Sequence, residues 1–162
     1  MKLGILSDTH NQRDRCREAV SLLQAAGVDA IVHCGDFTEP DILELCAVRP
    51  CYFVLGNNDA DNAQLLQQTA EAVNAKFLEW GGVITLAGKT IAVTHGHLTA
   101  QVRRLMAQQP DYLLSGHTHV ADDRCIDHTR RINPGALHRA RHFTVATLDL
   151  LTDELTFLDV PR

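Results

Sequence analysis

The chain of 162 residues has no long apolar run, since none of its apolar segments approaches the roughly 18 residues that a membrane span requires. Its opening stretch, MKLGILSDTH, turns polar after six residues and is too short to form the core of a signal peptide. We therefore interpret the short apolar opening as the first β-strand. These absences also predict a cytoplasmic protein that does not associate with a membrane.

The cysteine spacing shows neither a disulfide framework nor a zinc knuckle. The five cysteines are odd in number and show no CxxC spacing; they occupy positions 16, 34, 46, 51 and 125. We interpret them as small core residues in a reducing compartment.

An excess of positive charge is missing as well. Fifteen basic and 20 acidic side chains give a net charge of −5. A basic face is what broad binding to a nucleic-acid backbone needs, so the charge balance argues against that class of partner. The chain also has no internal repeat, low-complexity segment or Pro/Gly/Ser linker, and we therefore expect one domain over residues 1–162.

Hydrophobic periodicity predicts alternating strands and helices. The predicted helices cover residues 12–26, 39–47, 62–73 and 98–108. The predicted strands cover residues 2–7, 29–34, 51–55 and 111–115, with hairpins over 83–94 and 143–160. The alternation in the N-terminal part implies parallel strands covered by helices, whereas the C-terminal part is antiparallel in character. Two facing mixed β-sheets flanked by helices, an α/β sandwich, accommodate both parts.

Histidine is abundant, with nine residues, and five of the nine lie in three short motifs. Five apolar strands each run into polar residues of the kinds that bind metals. The motifs are Asp8-Thr9-His10, Gly35-Asp36, Gly56-Asn57-Asn58-Asp59, His95-Gly96-His97 and Gly116-His117-Thr118-His119. Each motif alone also fits an ordinary turn or helix cap. Together they fit a ligand site beyond the carboxyl ends of the strands.

The ligand types are imidazole nitrogens and carboxylate or amide oxygens, without a thiolate. This mixture suits Mn²⁺, Fe²⁺, Ni²⁺, Co²⁺ or Zn²⁺. Seven candidate ligands exceed the four to six that one ion takes, so the set suits two ions that share a carboxylate.

The motif order DxH, GD, GNxD, HGH and GHTH resembles that of the calcineurin-like metallophosphoesterase superfamily. The opening GILSDTH and the late Ile132-Asn133-Pro134-Gly135 resemble its small YfcE-type phosphodiesterase branch, and the similarity extends over nearly the whole chain. The resemblance implies a sandwich of two sheets with flanking helices. It also implies one cation held by Asp8, His10, Asp36 and His119, and a second held by Asp36, Asn57, His95 and His117.

The implied reaction is hydrolysis of a phosphate diester by in-line attack of a metal-bridging hydroxide, with Mn²⁺ expected first among the suitable ions. In many family members the third residue of GNxD is a histidine that protonates the leaving group. Here it is Asn58, an amide that cannot transfer a proton. We therefore expect diesters with good leaving groups to react fastest.

Four further residues are candidates for contact with the substrate. Asn58 and His97 are candidate catalytic or substrate-binding residues, and Arg139 and Arg141 could approach a phosphate. A solvated pair of surface arginines is the alternative interpretation of the last two. We interpret Asp59 as an anchor for its own loop, and His33, His128, His138 and His142 as structural or surface residues.

Two alternatives to a phosphodiesterase stay open. One is a non-catalytic scaffold, because a retromer subunit with this fold has lost catalytic function. The other is a phosphomonoesterase with the same chemistry. A scaffold is expected to lose several ligands, whereas all seven positions here keep a competent residue type. The expected partner is a small phosphorylated substrate that the sequence does not name, and a homo-oligomer is compatible with exposed hairpin edges.

Overall fold

Eleven β-strands form two sheets, and four α-helices cover their outer faces. The structure, a computed structural model, describes residues 1–162. The α/β sandwich expected from the sequence is confirmed.

The first sheet has six strands in the order β11-β10-β1-β2-β3-β4. Its strands are β1 (Lys2–Leu6), β2 (Ala30–His33), β3 (Cys51–Phe53), β4 (Lys76–Phe77), β10 (Thr144–Asp149) and β11 (Leu155–Asp159). Strands β1 to β4 are parallel, and β10 and β11 complete the sheet in antiparallel pairing.

The second sheet has five strands in the order β5-β6-β7-β9-β8. Its strands are β5 (Gly81–Leu86), β6 (Lys89–Thr94), β7 (Tyr112–Leu114), β8 (Asp122–Ile126) and β9 (Thr129–Asn133). Strands β6, β7 and β9 are parallel, and only the edge strands β5 and β8 pair antiparallel.

Helices lie outside both sheets. On the first sheet, α1 (Arg13–Ala25), α2 (Pro40–Cys46) and α3 (Ala63–Val73) pack through a cluster of 19 buried residues. On the second sheet, α4 (Thr99–Met106) buries Leu105 against Ala92 and Leu113. None of these helices has the length and apolar character needed to cross a membrane.

The core between the sheets is a separate apolar layer. Side chains from the first sheet, such as Ile5 and Val32, pack there with side chains from the second, such as Val93 and Leu114. The period-2 alternation of β1 explains this, because Leu3 and Ile5 face this layer while Leu6 faces the helices. The molecule therefore has four layers, in the order helices, sheet, sheet, helix.

One expectation about the fold is wrong in detail, and one short strand was not expected. The C-terminal part is not uniformly antiparallel, because β6, β7 and β9 run parallel. The two-residue strand β4 was not predicted from the sequence, since a strand this short has no measurable alternation. The other predicted elements are present with ends that differ by a few residues, and residues 60–62 form a 3₁₀ turn before α3. All five cysteines are free, and four of them are buried.

Candidate metal centre

The loop after β1 supplies a buried carboxylate at the junction of the two sheets. Asp8 is fully buried, and its Oδ1 lies 3.1 Å from Nε2 of His119, which follows β7 in the second sheet. The backbone N–H of His117 donates to the other oxygen, Oδ2, at 3.0 Å. The first and the last sequence motifs therefore meet, although they are more than 100 residues apart.

Asp36 lies between two histidines from different motifs. Its Oδ2 is 3.3 Å from Nε2 of His10 and 3.4 Å from Nε2 of His95. His95 also lies 3.9 Å from Oδ1 of Asp8. One carboxylate oxygen of Asp36 thus faces a ring from each sheet.

The ring of His95 is oriented by the backbone of the first sheet. Its Nδ1 donates to the carbonyl oxygen of Cys34 at 2.8 Å, so the hydrogen of the neutral ring is on Nδ1. The lone pair of Nε2 then points toward Asp8 and Asp36. A histidine whose other nitrogen donates to a carbonyl is the usual form of a metal ligand.

Three of the candidate ligands each have a buried polar atom without a hydrogen-bond partner: Oδ1 of Asp8, Nε2 of His10 and Nε2 of His95. Leaving a buried acceptor without a donor is costly, so an arrangement of converging acceptors indicates a missing positive charge. The side chains fall into two groups that could hold an ion, namely Asp8, His10 and His119, and Asp8, Asp36 and His95. In each group the ligand atoms lie within 4.8 Å of one another. The donor set therefore fits divalent metal ions.

The local charges shift the pKa values as expected for such a cluster. Burial raises the pKa of the Asp36 carboxyl, but the rings of His10 and His95 and the backbone N–H of Asn58 lower it well below its usual range. Burial lowers the pKa of His95, and the two carboxylates of Asp36 and Asp8 outweigh this and raise it. The carboxylate of Asp36 consequently stays ionised and able to bind a cation.

Close approach of the loops requires glycine at two positions. A Cβ at Gly56 would collide with the side chain of Asp36, and a Cβ at Gly116 would collide with the side chains of Ser7 and Asp8. The glycines in the GNND and GHTH motifs therefore allow the loops to pack against the carboxylates.

Several candidate ligands have a left-handed backbone. The residues with positive φ include Asp8, His10, Asp36, His117 and His119. This conformation is unfavourable for non-glycine residues and concentrates at functional sites, where the surrounding structure maintains it. Its occurrence at five of the seven candidate ligands supports a shared role.

Asp59 and His33 are buried and form hydrogen bonds with the loops that carry the candidate ligands. The buried carboxylate of Asp59 accepts backbone N–H groups of Asp36, Thr38 and Gly56 at 2.8, 2.8 and 2.7 Å. These contacts join the loop after β2 to the loop after β3, as expected for an anchoring residue. His33 is fully buried; its Nε2 lies 2.7 Å from Oγ1 of Thr9, and its Nδ1 accepts the N–H of Gly35 at 3.1 Å.

The remaining predicted residues lie at the surface of the centre. The exposed ring of His117 is 5.2 Å from that of His95 between centroids, and the ring of His97 is 5.3 Å from His95. Asn57 is exposed. Asn58 donates its side-chain amide to Oδ2 of Asp36 at 2.7 Å.

The loop after β9 places a histidine that the sequence did not single out beside the centre. The ring of His138, interpreted from the sequence as structural or at the surface, lies 4.8 Å from that of His10 between centroids. The exposed Arg139 and Arg141 lie in the same loop. His138 follows no strand directly and belongs to no spaced motif, so only the fold brings it here.

Comparison with known proteins agrees with the geometry. A family model described as the calcineurin-like phosphoesterase superfamily domain matches residues 1–153. A probable metallophosphoesterase of Methanothermobacter thermautotrophicus is 32% identical over 145 residues, which cover 84% of this chain and 77% of that protein. A phosphodiesterase of Methanocaldococcus jannaschii is 25% identical over 138 residues, which cover 83% of each chain.

Solved structures share the fold. One described as a novel archaeal phosphodiesterase superposes with a TM-score of 0.88 and 24% identity, covering 99% of this chain and all of the other. The similarity thus extends through both sheets, including the edge strands that close the sandwich.

Proposed function

Because the chain belongs to the calcineurin-like phosphoesterase superfamily, we propose that it hydrolyses phosphate diesters with the help of two bound divalent cations. The observation that supports this most directly is the convergence of buried acceptors without hydrogen-bond partners on Asp8, His10 and His95, with Asp36 between them. The choice of a diester is supported by the relative from Methanocaldococcus jannaschii, which is a phosphodiesterase.

We assign the ligands as the sequence motifs suggest. The first cation would be held by Asp8, His10, Asp36 and His119, and the second by Asp36, Asn57, His95 and His117. Sharing of Asp36 is supported by the positions of His10 and His95 at similar distances from its Oδ2, 3.3 and 3.4 Å. Asp8 is a weaker candidate for sharing, because it lies 3.1 Å from His119 but 3.9 Å from His95.

When bound, two cations in such a site supply a nucleophile from water near neutral pH and neutralise the phosphoryl oxygens. The residues of the chain position these groups. Asp36 is proposed to belong to both ligand sets. Asn58 fixes its carboxylate by donating hydrogen bonds from its side-chain amide and its backbone N–H. His97 lies beside the second set, where its ring can donate a hydrogen bond to a phosphoryl oxygen. Arg139 and Arg141, which lie in the loop after β9 together with His138, are proposed to approach a phosphate of the substrate.

No serine or cysteine nucleophile is required. Burial raises the pKa of Cys34, the only cysteine beside a motif, so its thiol stays protonated. The free cysteines support a reducing compartment, and we propose the cytoplasm. We also propose that residues 1–162 fold as one domain that acts on a small phosphorylated substrate, alone or as a homo-oligomer, with Mn²⁺ as the first choice of ion and Ni²⁺, Fe²⁺, Co²⁺ or Zn²⁺ as alternatives.

The test is metal analysis joined to activity. The purified protein would be stripped with a chelator, assayed on aryl phosphodiesters and monoesters, and assayed again after addition of Mn²⁺ or Ni²⁺. We expect loss of activity on stripping, recovery on addition, and faster cleavage of the diester. Activity that survives removal of all divalent metal would overturn the mechanism. A protein that binds two cations but cleaves neither ester would instead indicate the non-catalytic scaffold.

A further inference from the structure

The single tryptophan of the chain lies at the rim of the candidate metal centre. The ring of Trp80 meets that of His97 edge to face, with centroids 5.9 Å apart. His97 in turn lies 5.3 Å from His95 and 6.0 Å from His117. Trp80 is therefore two ring contacts away from two candidate ligands, which is close enough for a group attached to a bound phosphoryl to reach it.

The backbone around Trp80 is held on both sides. Its carbonyl oxygen accepts a hydrogen bond from the hydroxyl of Thr94 at 3.3 Å. The carbonyl oxygen of the preceding Glu79 accepts a hydrogen bond from the backbone N–H of Leu55 at 2.7 Å. The carbonyl of the following Gly81 accepts the side-chain amide of Gln101, in α4, at 2.9 Å. The segment crosses from the first sheet to the second, so both sheets fix its position.

The side chain of Trp80 nevertheless stays exposed. It keeps 36% of its surface, and Leu98, which follows His97, keeps 43%. A large aromatic ring on a fixed backbone loses little conformational freedom when it binds a partner, and such rings are enriched at recognition sites. Only 5% of the residues of this chain are aromatic, so the placement of the one tryptophan beside the proposed centre is informative.

We propose that the ring of Trp80 forms a stacking subsite for a planar aromatic group of the substrate, such as a nucleobase or an aryl ring. The phosphoryl group of that substrate would lie at the proposed metal centre, so the inference rests on the proposed function. Stacking suits this geometry because every base or aryl ring offers a π-face, and its strength corresponds to about a tenfold change in affinity.

Fluorescence gives a direct test, since all tryptophan emission of the chain comes from Trp80. The metal-loaded protein would be titrated with adenosine 5′-monophosphate and with ribose 5-phosphate, which differ only in the base. Phenyl phosphate and glycerol phosphate form a second pair that differs in the aryl ring. We expect saturable quenching by the first member of each pair and none by the second. The pair with the stronger quenching identifies the nucleobase or the aryl group as the preferred occupant.

Substitutions provide the second readout. Trp80→Ala is expected to raise KM for aromatic diesters about tenfold with little change in kcat, and to leave KM for an alkyl diester unchanged. Trp80→Phe should retain most of the affinity. Phe157→Ala is the control, because Phe157 is equally exposed, at 37%, but lies on the edge strand β11.

The outcomes separate this inference from the proposed function. Quenching that distinguishes the two members of each pair, in a protein without esterase activity, would overturn the function and retain the subsite. Hydrolysis with equal KM values for wild type and Trp80→Ala, together with no difference in quenching, would overturn the subsite alone. Emission that shifts with protein concentration in the absence of ligand would also overturn it, because Trp80 would then face a second copy of the chain.

Discussion

The side-chain amide of Asn58 donates to Oδ2 of Asp36 at 2.7 Å, while the backbone N–H of Asn58 donates to Oδ1 at 2.9 Å. Both oxygens of the proposed shared carboxylate are therefore engaged by one residue. Asn58 occupies the third position of the GNxD motif, where a histidine would be able to transfer a proton. The amide can hold the carboxylate in place but cannot assist a departing alkoxide.

The first prediction concerns the leaving group. Rates across a series of diesters should fall steeply as the pKa of the leaving alcohol rises, because no proton is supplied from position 58. Asn58→His should flatten this dependence and raise the rate for alkyl esters most. The measurement is the slope of log kcat/KM against leaving-group pKa for both proteins. A flat dependence in the wild type, under conditions where the chemical step limits the rate, would contradict the idea.

The second prediction concerns Asp36. If its carboxylate is shared, Asp36→Ala should weaken both cations, and activity should fall by more than about 100-fold. His119→Ala, which belongs to one proposed set, should affect chiefly the first cation. Metal content per chain, measured by mass spectrometry after dialysis, distinguishes the two variants. Asp41→Asn is a suitable control, because Asp41 is paired with Arg13 at the surface. Retention of two cations by Asp36→Ala would exclude sharing.

The third prediction is a pH dependence of stability that comes from His33. Burial, followed by the charge of His95, lowers the pKa of His33 to about 3, whereas the unfolded residue titrates near 6.5. The native ring stays neutral while the unfolded chain takes up a proton, so stability is present above pH 6.5 and is lost as the pH falls. The free energy of unfolding should decrease by up to about 1.4 kcal/mol per pH unit from this group.

The comparison that isolates His33 uses His33→Gln in metal-free protein. Glutamine can still accept from Gly35 and donate to Thr9, but it does not titrate. Urea unfolding at several pH values between 7 and 4 should show the wild type losing its advantage over the variant as the pH falls. Parallel stability curves for the two proteins would contradict the assignment.

The fourth prediction concerns Asp59. Asp59→Ala leaves three backbone N–H groups without their acceptor, so the free energy of unfolding should fall by roughly 3 kcal/mol or more. Metal affinity should fall as well, because the loops that carry Asp36 and Asn57 lose their common anchor. Asp14→Ala, whose side chain is almost fully exposed, is the control. Normal metal binding in a destabilised Asp59→Ala would show that the loops keep their positions without it.

Local signals in the sequence were sufficient for most of the fold. The apolar runs of β1, β2 and β6 and the periodicity of α1 are strong, and glycine marks several of the strand ends. The direction of β9 relative to β7 was not accessible, because the pairing of distant strands depends on how the connecting segments cross, which period-2 patterning does not encode.

Some residues of the candidate site could likewise be predicted from the sequence, and others could not. Residues at strand ends in spaced motifs, such as Asp8 and His119, could be found because the carboxyl ends of parallel strands converge. His138 could not, since its approach to His10 depends on the path of a loop after β9. The exposure of Trp80 was equally inaccessible from the sequence, because the path of the chain between the two sheets decides whether a tryptophan fills the core or stays at the surface.

The division of the proposed ligands between the sheets has a mechanical consequence. Asp8, His10 and Asp36 follow strands of the first sheet, whereas His95, His117 and His119 follow strands of the second. A cation bound to both sets, as we propose, would cross-link the two sheets and close a large loop of chain. Loss of the cations would then remove this cross-link and lower the stability of the sandwich, while the apolar core between the sheets would still hold them together.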